Sequence, residues 1–142
     1  MRPGNAKRIA FGADDSSALT AAVVEHLTAA GHEVVEPVAV GSPWPDVGRA
    51  VGEAVTAGDV DMGIVCCWTG TGVSMAANKV PGVRAALCGD AETARGARRW
   101  NDANVLALSM RLTTPTVAAE VVDAFLTGEP DESERASWSR LG

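Results

Sequence analysis

The order of apolar and polar positions divides the chain into short strands alternating with helices. "KRIAFGA" (7–13) reads as a first strand. "DDSS" then supplies N-cap residues, and Leu19, Val23 and Leu27 at a spacing of four make one helix face, stopped by Gly31. "HEVVEPV" (32–38) is a second strand and "GSPWPD" (41–46) a turn-rich loop. Val47, Val51, Ala54 and Val55 line the next helix, which ends near Gly58. "MGIVCC" (62–67) reads as a buried third strand, followed by a glycine loop and a helix over 72–78. "VRAALC" (83–88) and "NVLALS" (104–109) are strands four and five. Between them lies the helix "DAETARGARRW" (90–100), with Asp90 as its N-cap. The last helix, 114–128, has Pro115 in its first turn and Gly128 past its end. The tail "EPDESERASWSRLG" shows no clear core face.

This alternation predicts an α/β fold: a single-domain, doubly wound, Rossmann-like sheet of five parallel strands in an α/β/α sandwich. A chain of 142 residues, 46% hydrophobic, fills one core and is too short for two ordinary domains. One domain is therefore expected over 1–142, with a flexible start (1–7) and a tail (129–142). Ligands of such sheets sit at the carboxyl ends of the strands. The candidates are then Asp14, Asp15 and Ser16 after strand one, Cys67 through Ser74 after strand three, and Asp90 after strand four.

A formal charge of −6 argues against a nucleic-acid partner, which calls for a basic face. No stretch approaches the roughly 20 apolar residues of a membrane span, and "MRPGNAKR" has no apolar region of a signal peptide behind it. The three cysteines are odd in number and two are adjacent, which fits a reducing compartment better than a disulfide framework. The expectation is a soluble cytoplasmic protein with no membrane and no nucleic-acid partner.

The loop after strand three carries the chemistry. A strand running into a helix N-terminus presents unpaired backbone N–H groups and the positive end of the helix dipole, suited to an anion or a developing oxyanion. Gly70 and Gly72 allow close approach. Gly70-x-Gly72-x-x-Met75 lacks the third glycine of a dinucleotide fingerprint, and no Gly-Lys-Ser/Thr follows, so neither nucleotide motif is present. Cys67 and Cys66 must point to opposite faces of the sheet. Burial as a small hydrophobe is the expected state of Cys66. For Cys67 the spacing leaves two readings open: buried packing, or a thiolate favoured by the helix N-terminus.

"TGTGVSMAANKVPGVRAALC" followed by "WNDANVLAL" closely resembles the ribose-5-phosphate isomerase type B and galactose-6-phosphate isomerase family, and the resemblance runs from "IAFGADD" to the last helix. It implies a homodimer, open to higher assembly, with its active site at the subunit interface. Such enzymes interconvert aldoses and ketoses, usually as phosphates, through an enediolate and without metal or organic cofactor. By the resemblance, Cys67 is the base and Thr69 supports the reacting oxygens. The amides of Gly70, Thr71, Gly72, Val73 and Ser74 hold the enediolate oxygen. Asp14 matches the aspartate after strand one, Asn101 the asparagine beside the sugar, and Arg111 an arginine that helps hold phosphate.

The chain also departs from that pattern. Trp100 stands where the family has a ring-opening histidine, Asp15 where it has a histidine, and Trp68 where it has a glycine. Trp44 takes the place of another aromatic residue of the family pocket. The arginine-rich phosphate tail, which reaches the partner subunit's site, is reduced here to Arg135 and an out-of-register Arg140 among acidic residues. His26 and His32 read as structural. A carboxylate near a dianion opposes binding, and large flat side chains favour an apolar or aromatic ligand. The expected function is thus proton transfer between adjacent carbons of a small carbonyl or hydroxy compound, with a cysteine base and Asp14 and Asp15 beside it. The substrate is expected to be non-phosphorylated, either acyclic or a ring that needs no opening, with an apolar or aromatic part. Two alternatives stand beside it: an authentic pentose- or hexose-phosphate isomerase, and a non-catalytic binding protein on the same fold.

Overall fold

A computed structural model describes residues 5–142, so residues 1–4 of the expected flexible start lie outside the described residues. The elements follow in the order β1 (Arg8–Ala13), α1 (Ala18–Ala29), β2 (Glu33–Val35), α2 (Trp44–Thr56), β3 (Met62–Cys67), α3 (Thr71–Asn78), β4 (Ala85–Leu87), α4 (Ala91–Asn101), β5 (Val105–Ser109) and α5 (Pro115–Thr127). A 3-10 turn (Glu132–Glu134), the short α6 (Arg135–Trp138) and a second 3-10 turn (Ser139–Leu141) close the chain. All strand pairings are parallel, in the order β2-β1-β3-β5-β4.

Strand alternation sends successive side chains into two cores. Ile9, Phe11, Ile64, Cys66 and Leu108 pack under α1, α4 and α5. Ala10, Val65, Cys67 and Ala107 pack under α2 and α3, against Val47, Val51 and Val73. The two neighbouring cysteines therefore belong to different cores, as the alternation requires. α2 and α3 approach closely because Gly48 has no Cβ; one built there would lie 2.5 Å from the Ala76 Cβ.

Local chemistry sets the element ends. Ser17 caps α1 by accepting the Thr20 N–H, and the Thr20 hydroxyl accepts the Ser17 N–H in return. Asp90 caps α4 through the Thr93 N–H, as expected. α2 begins at Trp44, inside the stretch expected to be loop, because Pro45 in its first turn has a backbone angle already suited to a helix. β2 is shorter than the expected 32–38: it pairs only with β1, and Pro37 brings no N–H for a ladder. β4 is shorter than 83–88. The Asn104 carboxamide accepts the Arg84 N–H, and Asn78 binds both backbone groups of Ala85. The tail is not faceless, since Trp138 is buried and the Arg135 guanidinium lies 5.7 Å from its ring centre. Among the described residues no helix is long and apolar enough to cross a membrane.

Candidate active site

β1, β3 and β5 end together, and their following loops gather most of the expected residues. Ala13 pairs with Cys66, and the Asp14 N–H donates to the Cys66 carbonyl at 3.3 Å. Asp14 thus stands beside Cys67 on the next strand. Gly12 faces Val47 and Val51 of α2, so alternation places Asp14 on the same face as Cys67. Cys67 is 5% exposed. Asp14 is half-buried, and its Oδ1 is enclosed without a hydrogen-bond partner. Burial, together with the charge of Asp15, raises the Asp14 carboxyl above the usual aspartate range, against one lowering backbone hydrogen bond. Asp15 itself is exposed and accepts the Ser16 N–H. Burial pushes the Cys66 thiol far up and out of any thiolate role.

The loop into α3 is built around Gly70, whose φ of 78° is left-handed. A Cβ there would also meet the Leu87 side chain at 2.5 Å and the Leu108 backbone at 3.0 Å, so two independent constraints require glycine. The amides of Thr71, Gly72 and Val73 have no acceptor among the described residues and form the open N-terminus of α3. The Ser74 amide is not available as expected: it closes the first helical turn on the Gly70 carbonyl at 3.3 Å. The Thr69 and Thr71 hydroxyls share a 2.7 Å hydrogen bond above these amides. The room at Gly72 is taken by a side chain of the protein itself, with Trp44 lying 3.0 Å from where a Cβ would be. Trp68 is largely exposed, and its carbonyl accepts from the Arg111 N–H at 2.8 Å and from the Ser109 hydroxyl at 3.2 Å. That bond holds Arg111 against the loop, while its guanidinium has no ion-pair partner among the described residues.

Trp100, Asn101 and Arg135 are not brought to this cluster. α4 runs against the strands, and Asn101, its last residue, precedes the start of β5, where Val105 pairs with Gly63 at the amino end of β3. Both residues therefore sit at the opposite end of the sheet from Cys67. Trp100 is half-exposed and lies back over Gly96, whose Cβ would fall 2.7 Å from the ring. It borders a depression of about 490 Å³ with Leu87, Thr93 and Asn101. The tail docks at the same end, through the Asp131 N–H on the Arg99 carbonyl. There Arg135 is held by Glu132 at 2.6 and 3.0 Å. The chain thus carries two separated groups of candidate residues, one at each end of the sheet.

Neither histidine is bonded to a candidate residue among the described residues. His26 meets Asp123 between α1 and α5, and His32 Nδ1 accepts the Lys7 N–H at 3.0 Å. An apolar groove of about 480 Å³ runs from Trp44 along α2 and α3 past Met75 and Val80, and contains none of the expected catalytic groups. Among the described residues, no three His, Cys, Asp or Glu side chains gather as a metal site.

Comparison with known proteins agrees over most of the chain. Residues 9–140 match the family described as Ribose/Galactose Isomerase. The chain is 40% identical over 124 residues to ribose-5-phosphate isomerase B of Escherichia coli, a match covering 84% of this chain and 83% of that protein. It is 39% identical over 107 residues to the galactose-6-phosphate isomerase subunit LacB of Clostridium acetobutylicum, covering 73% of this chain and 62% of that subunit. The crystal structure of ribose-5-phosphate isomerase B from Clostridium thermocellum superposes with a TM-score of 0.89 at 37% identity, covering 95% of each chain.

Proposed function

The chain belongs to the ribose/galactose isomerase family, and from that premise we propose that it moves a proton between adjacent carbons of a carbonyl–hydroxy compound, with Cys67 as base. The observation that carries this reading is the placement of Cys67 and Asp14 on one face beside the open amides of Thr71, Gly72 and Val73. The substrate carbonyl oxygen sits at those amides. The thiolate removes a proton from the neighbouring carbon, and the freed electron pair forms the carbon–carbon double bond of an enediolate. Its negative oxygen is stabilised by donors already in place. Returning the proton to the former carbonyl carbon, while the adjacent hydroxyl's own proton passes to the former carbonyl oxygen, completes the isomerisation. Asp14 is the nearest carboxyl for that second proton, and the Thr69–Thr71 hydroxyl pair faces the same oxygens.

Two copies build the full site. Trp100, Asn101 and the tail of one approach the Cys67 loop of the other, since one copy holds these groups at opposite ends.

The substrate is a non-phosphorylated, open-chain compound with an apolar part. Arg135 is already committed to Glu132 and Trp138, and two carboxylates follow β1. At about 4 Å a like charge costs roughly 1–4 kcal/mol, depending on burial. The exposed indoles of Trp44, Trp68 and Trp100 offer apolar contact instead. One observation favours an ordinary sugar-phosphate substrate: Arg111 is held beside the loop, and its guanidinium has no ion-pair partner among the described residues.

Interconversion of ribose 5-phosphate and ribulose 5-phosphate, by wild type and Cys67→Ala, separates the two. Cysteine-dependent turnover above about 1 per second overturns the non-phosphorylated reading and keeps the isomerase. No turnover there, with Cys67-dependent uptake of solvent deuterium by erythrulose, supports proton transfer on a non-phosphorylated, open-chain substrate. Absence of both sinks the proton-transfer role.

A further inference from the structure

Asp102 is the only non-glycine residue with positive φ among the described residues, at 47°. It follows Asn101 directly, and its carboxylate lies between two arginines. Arg84 donates from Nη2 to Oδ2 at 3.0 Å and from Nε to the Asp102 carbonyl at 2.7 Å. Arg98 donates from Nη1 to Oδ1 at 3.3 Å. Arg98 is itself buried: it also donates to the Gly128 and Ala103 carbonyls and lies 5.8 Å from the centre of the Phe125 ring on α5. The exit of α4 is therefore tied to the segment before β4 and to the end of α5 through one side chain. Asp102 is the left-handed cap that ends α4, a place more often taken by glycine or asparagine, and here it is held by the side chains of Arg84 and Arg98. Neither Asp102 nor the arginines face the Cys67 loop of their own chain.

We propose that Asp102 is a positioning residue: with Arg84 and Arg98 it sets Trp100 and Asn101 in the pose in which they cover Cys67 of a second copy. This rests on the two-copy site described above. Left-handed geometry alone would be served by glycine, and charge alone would not need the backbone bond from Arg84. The arrangement uses both, so the carboxylate and the backbone conformation act together on the two residues that precede them.

The test is alkylation of the three cysteines by iodoacetamide, mapped by mass spectrometry, in wild type, Asp102→Gly, Asp102→Asn and Arg84→Met. Glycine keeps the left-handed backbone and removes the clamp, whereas asparagine keeps both the conformation and an acceptor. In Asp102→Gly and Arg84→Met, Cys67 is expected to label roughly tenfold faster, the change that about 1.4 kcal/mol of lost ordering gives. Asp102→Asn should stay within a factor of about three of wild type by the same conversion. Cys66 and Cys88, at 0% and 1% exposure, should remain unlabelled in every variant. Unchanged Cys67 labelling in a dimeric Asp102→Gly overturns the proposal. So does equal acceleration at all three cysteines, which reports general loosening. If Asp102→Gly does not fold, Arg84→Met decides by the same criteria. A monomeric wild type by light scattering removes the two-copy reading itself, an outcome distinct from an insensitive dimer.

Discussion

Asp14, just past the end of β1, stands beside Cys67, the last residue of β3, on the same face of the sheet. Among the described residues the Asp14 Oδ1 is enclosed without a partner, while the Asp14 N–H is bound to the Cys66 carbonyl. Burial raises this carboxyl above its ordinary value of 3.8. The folded state thus binds the proton more tightly than the unfolded chain. Its contribution is fully present below 3.8 and is lost as pH rises through the raised value. Asp14→Asn should flatten that fall in urea-unfolding curves between acid and neutral pH. It should leave neutral stability equal or higher, and lower turnover by about 10²-fold or more if the carboxyl moves a proton. A variant that is less stable at pH 7 would contradict the desolvated-carboxyl account.

His32 carries the opposite sign. Burial first, then Lys7, depress its imidazolium below the usual 6.5, against a raising effect of Asp123, with His26 adding to the depression. Its Nδ1 accepts the Lys7 N–H, a bond that protonation breaks. The stabilisation is present above 6.5 and is lost as pH falls through the depressed value. Unfolding midpoints of wild type should drop between pH 7.5 and 5 more than those of His32→Gln.

Asn78 acts as a one-residue strand on the open side of β4. Its amide donates to the Ala85 carbonyl at 3.0 Å and accepts the Ala85 N–H at 2.8 Å. Water can replace part of this at an exposed edge, so Asn78→Ala should cost about 1–2 kcal/mol. It should also leave an unpaired edge prone to association. Urea midpoints read the first effect and light scattering the second.

Gly48→Ala has no room. The added carbon would lie 2.5 Å from the Ala76 Cβ and 2.8 Å from the Ala77 nitrogen, so α2 and α3 must separate. A loss of about 3 kcal/mol is expected from overpacking against backbone, read as a lowered melting temperature. Because α3 carries the open amides, turnover should fall in the fraction that remains folded.

The sheet and the Cys67 loop were legible because their signals are local. Alternation in "MGIVCC" separates Cys66 from Cys67, and Asp90 and Pro115 mark helix starts by their own chemistry. Four features were not read from the residues. Ser74 looked like a free amide because the register of the first turn depends on Gly70 being the cap. The tail looked faceless because a single tryptophan, stacked on a cation, provides its anchor. The separation of Asn101 from Cys67 was readable in principle: a helix leading into a parallel strand must end at that strand's amino end. Motif matching placed both in one site without asking which copy supplied each. The Asp102 clamp gave no local signal, since its arginines lie four residues before it and eighteen before it.

The two ends of the sheet also have a genetic meaning. A chain lacking Cys67 and a chain lacking Asn101 are each inactive as homodimers on the proposed two-copy site. Mixed at random, half of the pairs would combine a damaged end of each kind with one undamaged site, restoring roughly a quarter of the wild-type sites. Two null alleles of this gene, on opposite ends of one fold, would complement each other.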